Sequence, residues 1–247
     1  MSARHRGDDI PMAQRSVRPG QPRRQSLRTV FGTLLVLLVG GSTLGFLFRE
    51  PLAQLLTPPP VPGLDARLGS DGRLLGHFPY AEAPPDRLTN VAPGLMLHEE
   101  AARELLAMQR QAAADGVDLR LLSGFRSVDL QQQIFFDVKS ERNQSAEERA
   151  LVSAPPGFSE HSTGYAIDLG DGSRPAAHFS EGFELTPAFR WLKENANRYH
   201  FKLSFPRGNA QGVTYEPWHW RFEGSAEALR MFEPARQLQR SQRSGLG

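Results

Sequence analysis

The sequence predicts an α+β domain in which a small antiparallel sheet, packed with helices, carries the residues capable of chemistry. Two observations lead to this class. Helical and strand patterns follow one another without the regular spacing of βαβ units. The residues that could do chemistry sit in short, separated segments at the ends of strand patterns rather than along one helix.

The elements follow in order. His98 to Ala114 places apolar residues at Ala101, Leu105, Ala107 and Met108 and ends at Asp115-Gly116, a helix with a glycine stop. Asp118 to Leu122 reads as a short strand running into Ser123-Gly124, and Ser127 to Val138 as a second helix. Lys139 to Pro156 reads as a long polar loop that rims the cleft or lies free on the surface. Tyr165 to Leu169 has the character of a buried strand. Thr186-Pro187 supplies an N-cap with proline at the first helical position, opening a helix to about Asn197. Tyr199 to Phe205 and Trp218 to Phe222 read as strands, and Ser225 to Phe232 as a last helix. Residues 236–247 are polar and end in glycine, which predicts a frayed tail.

The first seventy residues have a different character. Residues 1–28 carry seven arginines against Asp8 and Asp9 and are broken by three prolines, so they are expected to be a disordered basic tail. Thr29 to Phe48 is a run of 20 residues without a charge, long enough to span a hydrocarbon core of roughly 30 Å. With Arg23, Arg24 and Arg28 before it, the run reads as an anchor with the N-terminus in the cytoplasm and the domain outside a bacterial cytoplasmic membrane. A signal segment is the other reading. Residues 49–71 include Pro58-Pro59-Pro60 and Pro62, a stiff spacer, and the folded domain is expected over residues 72–235.

Composition narrows the function. The 247 residues contain no cysteine, which excludes a disulfide framework, a thiolate metal site and a cysteine nucleophile. The net charge of +2 is uneven, +5 in the first 28 residues and −3 in the rest. The basic flank is therefore read as a membrane feature, and no nucleic-acid partner is expected. A monomer is expected.

Two segments about fifty residues apart hold the candidate site. Ser159-Glu160-His161-Ser162-Thr163-Gly164-Tyr165-Ala166-Ile167-Asp168 and Glu216-Pro217-Trp218-His219-Trp220 supply two imidazoles, a carboxylate that could join them on a metal, and a further carboxylate three residues before the second His. Two His and one Asp suit a catalytic zinc, because three protein ligands leave a position for water. A hydrolase then needs a base for that water, which Glu216 could be. Trp218 and Trp220 flank His219 and by strand alternation are expected in the core.

These residues resemble the VanY-type D-alanyl-D-alanine carboxypeptidases of bacterial cell walls. The resemblance rests on Ser159-x-His161-x-x-Gly164-x-Ala166-x-Asp168, on Glu216-x-x-His219, and on the upstream Ser123-Gly124-Phe125-Arg126-Ser127-x-x-x-Gln131-x-x-Ile134-Phe135, in the family's order, over roughly Leu74 to Phe232. Phe125 departs from the family's more common Tyr. The resemblance implies a Hedgehog/DD-peptidase-like fold, Zn2+ held by His161, Asp168 and His219, Glu216 as general base, and Arg126 engaging the substrate near the scissile bond. It makes Gln131, Ser159 and Ser123 candidate substrate contacts. The expected activity is removal of the terminal D-Ala from peptidoglycan stem peptides. Alternatives on the same scaffold are an LD-carboxypeptidase, an endopeptidase, and a non-catalytic zinc-stabilised wall-binding module. Related endopeptidases tend to carry Asp where Glu216 stands, and a binding module would be expected to lose the base or the arginine.

Overall fold

The computed structural model describes Leu64 and residues 66–245. The basic tail, the apolar run 29–48 and the spacer up to residue 63 lie outside the described residues. Among the described residues, no helix is long and apolar enough to cross a membrane.

Among the described residues the fold is mixed, with two small antiparallel sheets. A hairpin that the sequence reading missed comes first: β1 (Leu88–Ala92) pairs with β2 (Leu95–His98) around Pro93-Gly94, where Gly94 takes φ +73°. Helix α1 (Glu99–Ala114) follows at once. His98 caps it, its ring nitrogen accepting from the Glu100 N–H, and Gly116 at φ +77° ends the turn beyond it. Its apolar stripe, Ala101, Ala102, Leu105, Met108 and Ala112, is buried.

The second sheet has four strands in the order β3 (Leu119–Ser123), β4 (Ala166–Asp171), β6 (His219–Phe222) and β5 (Phe201–Leu203), all antiparallel. Alternation along β4 and β6 divides the side chains between two faces. Tyr165, Ile167, Leu169, Trp220 and Phe222 join the main core with α1 and α4 (Pro187–Asn195). Asp168, His219 and Arg221 belong to the opposite face. The register sets Asp168 directly across from His219 on one side and across from Ser123 on the other. Two widely separated segments thus deliver their polar residues to one point.

A second, smaller apolar cluster gathers Leu64, Leu74, Phe135, Ala150 and Phe158. It seats α2 (Val128–Glu141) and α3 (Ala146–Ala150) over the polar face of the sheet. Burial of Leu64 and Ala66 carries the folded unit upstream of residue 72. The segment expected to be a loop holds α3, closed by a capping box in which Ser145 Oγ accepts from Glu148 N and Glu148 Oε2 accepts from Ser145 N.

Two further expectations are corrected here. Residues 236–245, expected to belong to a frayed tail, are helical. Helix α6 (Glu233–Gly245) follows α5 (Ala226–Met231), with Ala235 buried and Glu233 paired to Arg236 and Arg240. Pro234 is tolerated because it lies in the first turn, where its missing N–H has no intrahelical partner to lose. Tyr199 is also not in a strand. It ends a 3-10 turn, and β5 begins only at Phe201, after His200 reverses the chain at φ +62°.

Ser127 caps α2, its Oγ accepting from Leu130 N at 3.1 Å. Ser127→Ala is expected to lower the unfolding free energy by about 1 kcal/mol, read as a shifted denaturant midpoint with an unchanged slope.

Candidate metal centre and cleft

His161 lies in a tight 3-10 turn, Glu160–Thr163, that Gly164 closes at φ +71°. Only glycine fits there, because a Cβ would meet His98 N at 2.9 Å besides the strain of the positive φ. The turn hands the chain into β4, which carries Asp168.

The three predicted ligands converge. Asp168 stands between both rings, with Oδ2 3.3 Å from His161 Nε2 and Oδ1 3.1 Å from His219 Nδ1. The two imidazoles stand nearly perpendicular, centroids 4.8 Å apart, and all three residues are buried. Their far nitrogens are held from behind. His161 Nδ1 lies 2.8 Å from the Gly124 carbonyl, and His219 Nε2 lies 3.0 Å from Glu160 Oε2. That leaves His161 Nε2, an Asp168 oxygen and His219 Nδ1 facing one point, with all ligand atoms within 4.8 Å of one another. The arrangement fits a metal ion, because outer hydrogen bonds fix which ring nitrogen presents its lone pair.

The electrostatics agree with this. Burial alone would lower the His219 pKa, yet its bonds to Asp168 and Glu160 lift it to about 10. Burial would raise Asp168, but the two histidines hold it well below the carboxylate range. The two carboxylates thus favour positive charge at His219, and a divalent cation would meet the same demand. Burial lowers His161.

Glu216 enters the same cleft just before β6, its Oε2 3.8 Å from His219 Nδ1. Burial pushes its pKa up to about 7, and the charges of Asp168 and Glu160 add to the shift. Arg126, after the bend that ends β3, lines the cleft too. Its Nη1 donates to Gln131 Oε1 at 2.8 Å and its Nη2 to Ser123 Oγ at 3.1 Å. Ser159 lines the cleft and caps the turn, accepting from His161 N at 3.3 Å.

Two predicted contacts stand elsewhere. Gln131 is fully buried, and its amide nitrogen donates to Ser153 Oγ and the Ala154 carbonyl while its oxygen holds Arg126. It fixes the guanidinium and ties α2 to the segment after α3. Ser123 likewise accepts from Arg126 and does not line the cavity.

The cavity measures about 370 Å³. Trp218 lines it, edge-on to Phe179 at 6.3 Å, and is half-buried against the main core, so it serves the cleft wall as well as the core in which both tryptophans are expected. It precedes β6, so strand alternation does not reach it, whereas Trp220 is buried as expected. His77, unassigned by sequence, also lines the cavity with its Nε2 2.8 Å from the Ala150 carbonyl. A second group that could hold a metal, His98, Glu100 and Glu227, sits away from the cleft. There His98 is already engaged in capping α1 and contacting Tyr165 Oη.

Glu160 is the residue sequence reasoning missed. Its side chain is buried among His219 Nε2, Arg221 Nη1 at 2.9 Å and Ser204 Oγ. Burial would raise its pKa, but Arg221 and His219 hold it at about 2. The signal was present: Arg221, two residues after His219, lies on the same buried strand face, and a buried guanidinium needs a carboxylate.

Comparison with known proteins agrees with the geometry. The family model VanY, D-alanyl-D-alanine carboxypeptidase, matches residues 94–225. A D-alanyl-D-alanine carboxypeptidase of Enterococcus faecalis (strain ATCC 700802 / V583) is 35% identical over 130 residues, covering 49% of this chain and 46% of its own. The chain spans about half the length of the curated relatives it matches. Among solved structures, the LdcB LD-carboxypeptidase aligns with a TM-score of 0.54 at 27% identity, over 66% of this chain and 80% of that one. VanYB in complex with D-alanine-D-alanine aligns with a TM-score of 0.50 at 27% identity, over 63% and 87%. With the family model covering more than half of its residues, the chain belongs to the VanY family of D-alanyl-D-alanine carboxypeptidases.

Proposed function

We propose that this protein is a zinc-dependent carboxypeptidase that removes the terminal D-Ala from peptidoglycan stem peptides, outside the cytoplasmic membrane and tethered through residues 29–48. The observation that carries the reading is the convergence of His161, Asp168 and His219 in one cleft with Glu216 and Arg126. A binding module would have no need of the last two.

His161, Asp168 and His219 would hold the ion. Bound there, zinc would bring the pKa of water towards neutrality and polarise a carbonyl. Glu216 takes the proton as water attacks the scissile carbonyl, then returns it to the departing amine. Its raised pKa suits a group that must both accept and release a proton near neutral pH. Arg126, held at Nη1 and Nη2 by Gln131 and Ser123, offers a fixed guanidinium to the negative charge that develops on the carbonyl oxygen. Ser159, on the cleft wall beside the ligand turn, is a candidate partner for the peptide. Arg126→Lys keeps the charge but breaks the two-point hold, and kcat/KM is expected to fall about 10–100-fold with zinc content unchanged.

The test is a mass spectrum of pentapeptide and tetrapeptide muropeptides after incubation with full-length protein and zinc. Loss of one alanine from the pentapeptide supports the DD reading. Loss from the tetrapeptide moves the protein to the LD branch, a reading that the likeness to LdcB favours. Cleavage of neither, with zinc bound, overturns both.

A further inference from the structure

The cleft has a second wall, and it is cationic. Arg149 on α3 and Arg142, at the C-terminal end of α2, line the same cavity as Arg126. Arg149 is only 7% exposed, its Nε is buried without a hydrogen-bond partner, and among the described residues its side chain makes no ion pair. Arg142 is exposed at the rim and likewise makes no ion pair among the described residues. A buried guanidinium N–H without an acceptor is costly and rarely left so in a folded protein.

The nearby acids do not relieve it. Asp168 is engaged with two histidines, and Glu160 with Arg221, His219 and Ser204. Asp168 and Glu216 act electrostatically on Arg126. On Arg149 the acting influences are burial and then the like charges of Arg142 and Arg126, all disfavouring its cation.

The position is also built rather than incidental. The capping box fixes α3, His77 is bonded to the Ala150 carbonyl, and Gln131 grips Ser153 and Ala154 just beyond. Ile134 and Val152 line the cavity beside it and lower the local dielectric, which strengthens any ion pair formed there. A guanidinium fork matches a carboxylate in charge and shape.

We propose that Arg149, assisted by Arg142, forms a subsite that binds a carboxylate of the peptide substrate. The proposal rests on the peptidase reading and deepens it, naming an acidic peptide as what the cleft selects. A stem peptide offers three such groups: the C-terminal carboxylate, the α-carboxylate of the γ-linked glutamate, and the side-chain carboxylate of diaminopimelate.

The test measures binding, not turnover, so that it stands apart from the activity. Calorimetry in a zinc-loaded, full-length Glu216→Gln background compares the diaminopimelate pentapeptide with three analogues, each lacking one carboxylate: a C-terminal amide, an isoglutamine, and a lysine replacement. Arg149→Gln is expected to weaken the parent peptide about 10–100-fold. It should leave unchanged the one analogue that lacks the recognised carboxylate, and the identity of that analogue names the source. Arg142→Gln, at an exposed position that folding does not need, should weaken binding in the same peptide-selective way. Equal weakening of all four peptides, or none by either variant, overturns the subsite. Failure of the wild-type protein to cleave any peptide, with selective binding intact, would overturn the peptidase reading alone.

Discussion

Glu216→Gln is expected to lower kcat by about 10²–10⁴-fold while zinc content, folding and KM stay near their original values. The amide keeps the side chain's size but cannot take a proton from water or hand one to the leaving amine. Two features make the effect specific. Glu216 lies beside the ligand cluster without belonging to it, 3.8 Å from His219 Nδ1, so its loss should not empty the site. Its burial, which lifts the pKa to about 7, is also what makes it an effective base near neutrality. A bound cation would lower that value, so the acid limb of kcat/KM should fall below pH 7: activity is lost as Glu216 protonates and is retained above. The measurement is kcat across pH with metal analysis of the same preparation. A variant that loses its zinc, or one with undiminished kcat, would remove Glu216 from the role of base.

How much of this was legible beforehand differs by element. The ligand triad was readable because its chemistry is carried by side-chain type and short spacing. The register of β4 against β6 then does what spacing alone cannot, setting Asp168 opposite His219. Helix α1 was readable from its apolar stripe and glycine stop. Helix α3 was not, since only five residues long it has no periodicity to detect, and its one signal is the pair Ser145 and Glu148 of the capping box. Gln131 lies on the helix predicted to carry it but is turned inward, because its amide oxygen accepts from Arg126 while its amide nitrogen donates to the Ala154 carbonyl. Trp218 packs against the core as expected, but its second place on the cavity wall was not legible, because it precedes β6 and escapes strand alternation. The side-chain misses concern what a residue faces, which is set by tertiary contacts and not by local pattern, whereas α3 was missed because it is too short to show a period.

Glu160 gives the sharpest test of that distinction, because it adjoins a ligand in sequence yet acts on a different one in space. It sits next to His161 but bonds His219, and it neutralises Arg221, which also pairs with Glu223. Glu160→Ala is expected to cost about 3–5 kcal/mol in unfolding free energy, since it leaves a buried guanidinium with half its compensation. It should also weaken zinc binding about 10–100-fold, since the His219 ring loses the partner that fixes its tautomer. The two effects are separable. Glu160→Met combined with Arg221→Met removes both buried charges together, and Glu223 keeps Lys202 and Arg236 as partners. That double variant should recover most of the lost stability, because apolar replacements of a buried pair are often tolerated. It should not recover zinc affinity, because His219 Nε2 still faces no acceptor. Chemical unfolding and zinc competition titration on the same preparations read the two quantities. Were zinc affinity to return with stability, the link from Glu160 to His219 would be a packing contact only, and His219 would be oriented by Asp168 alone.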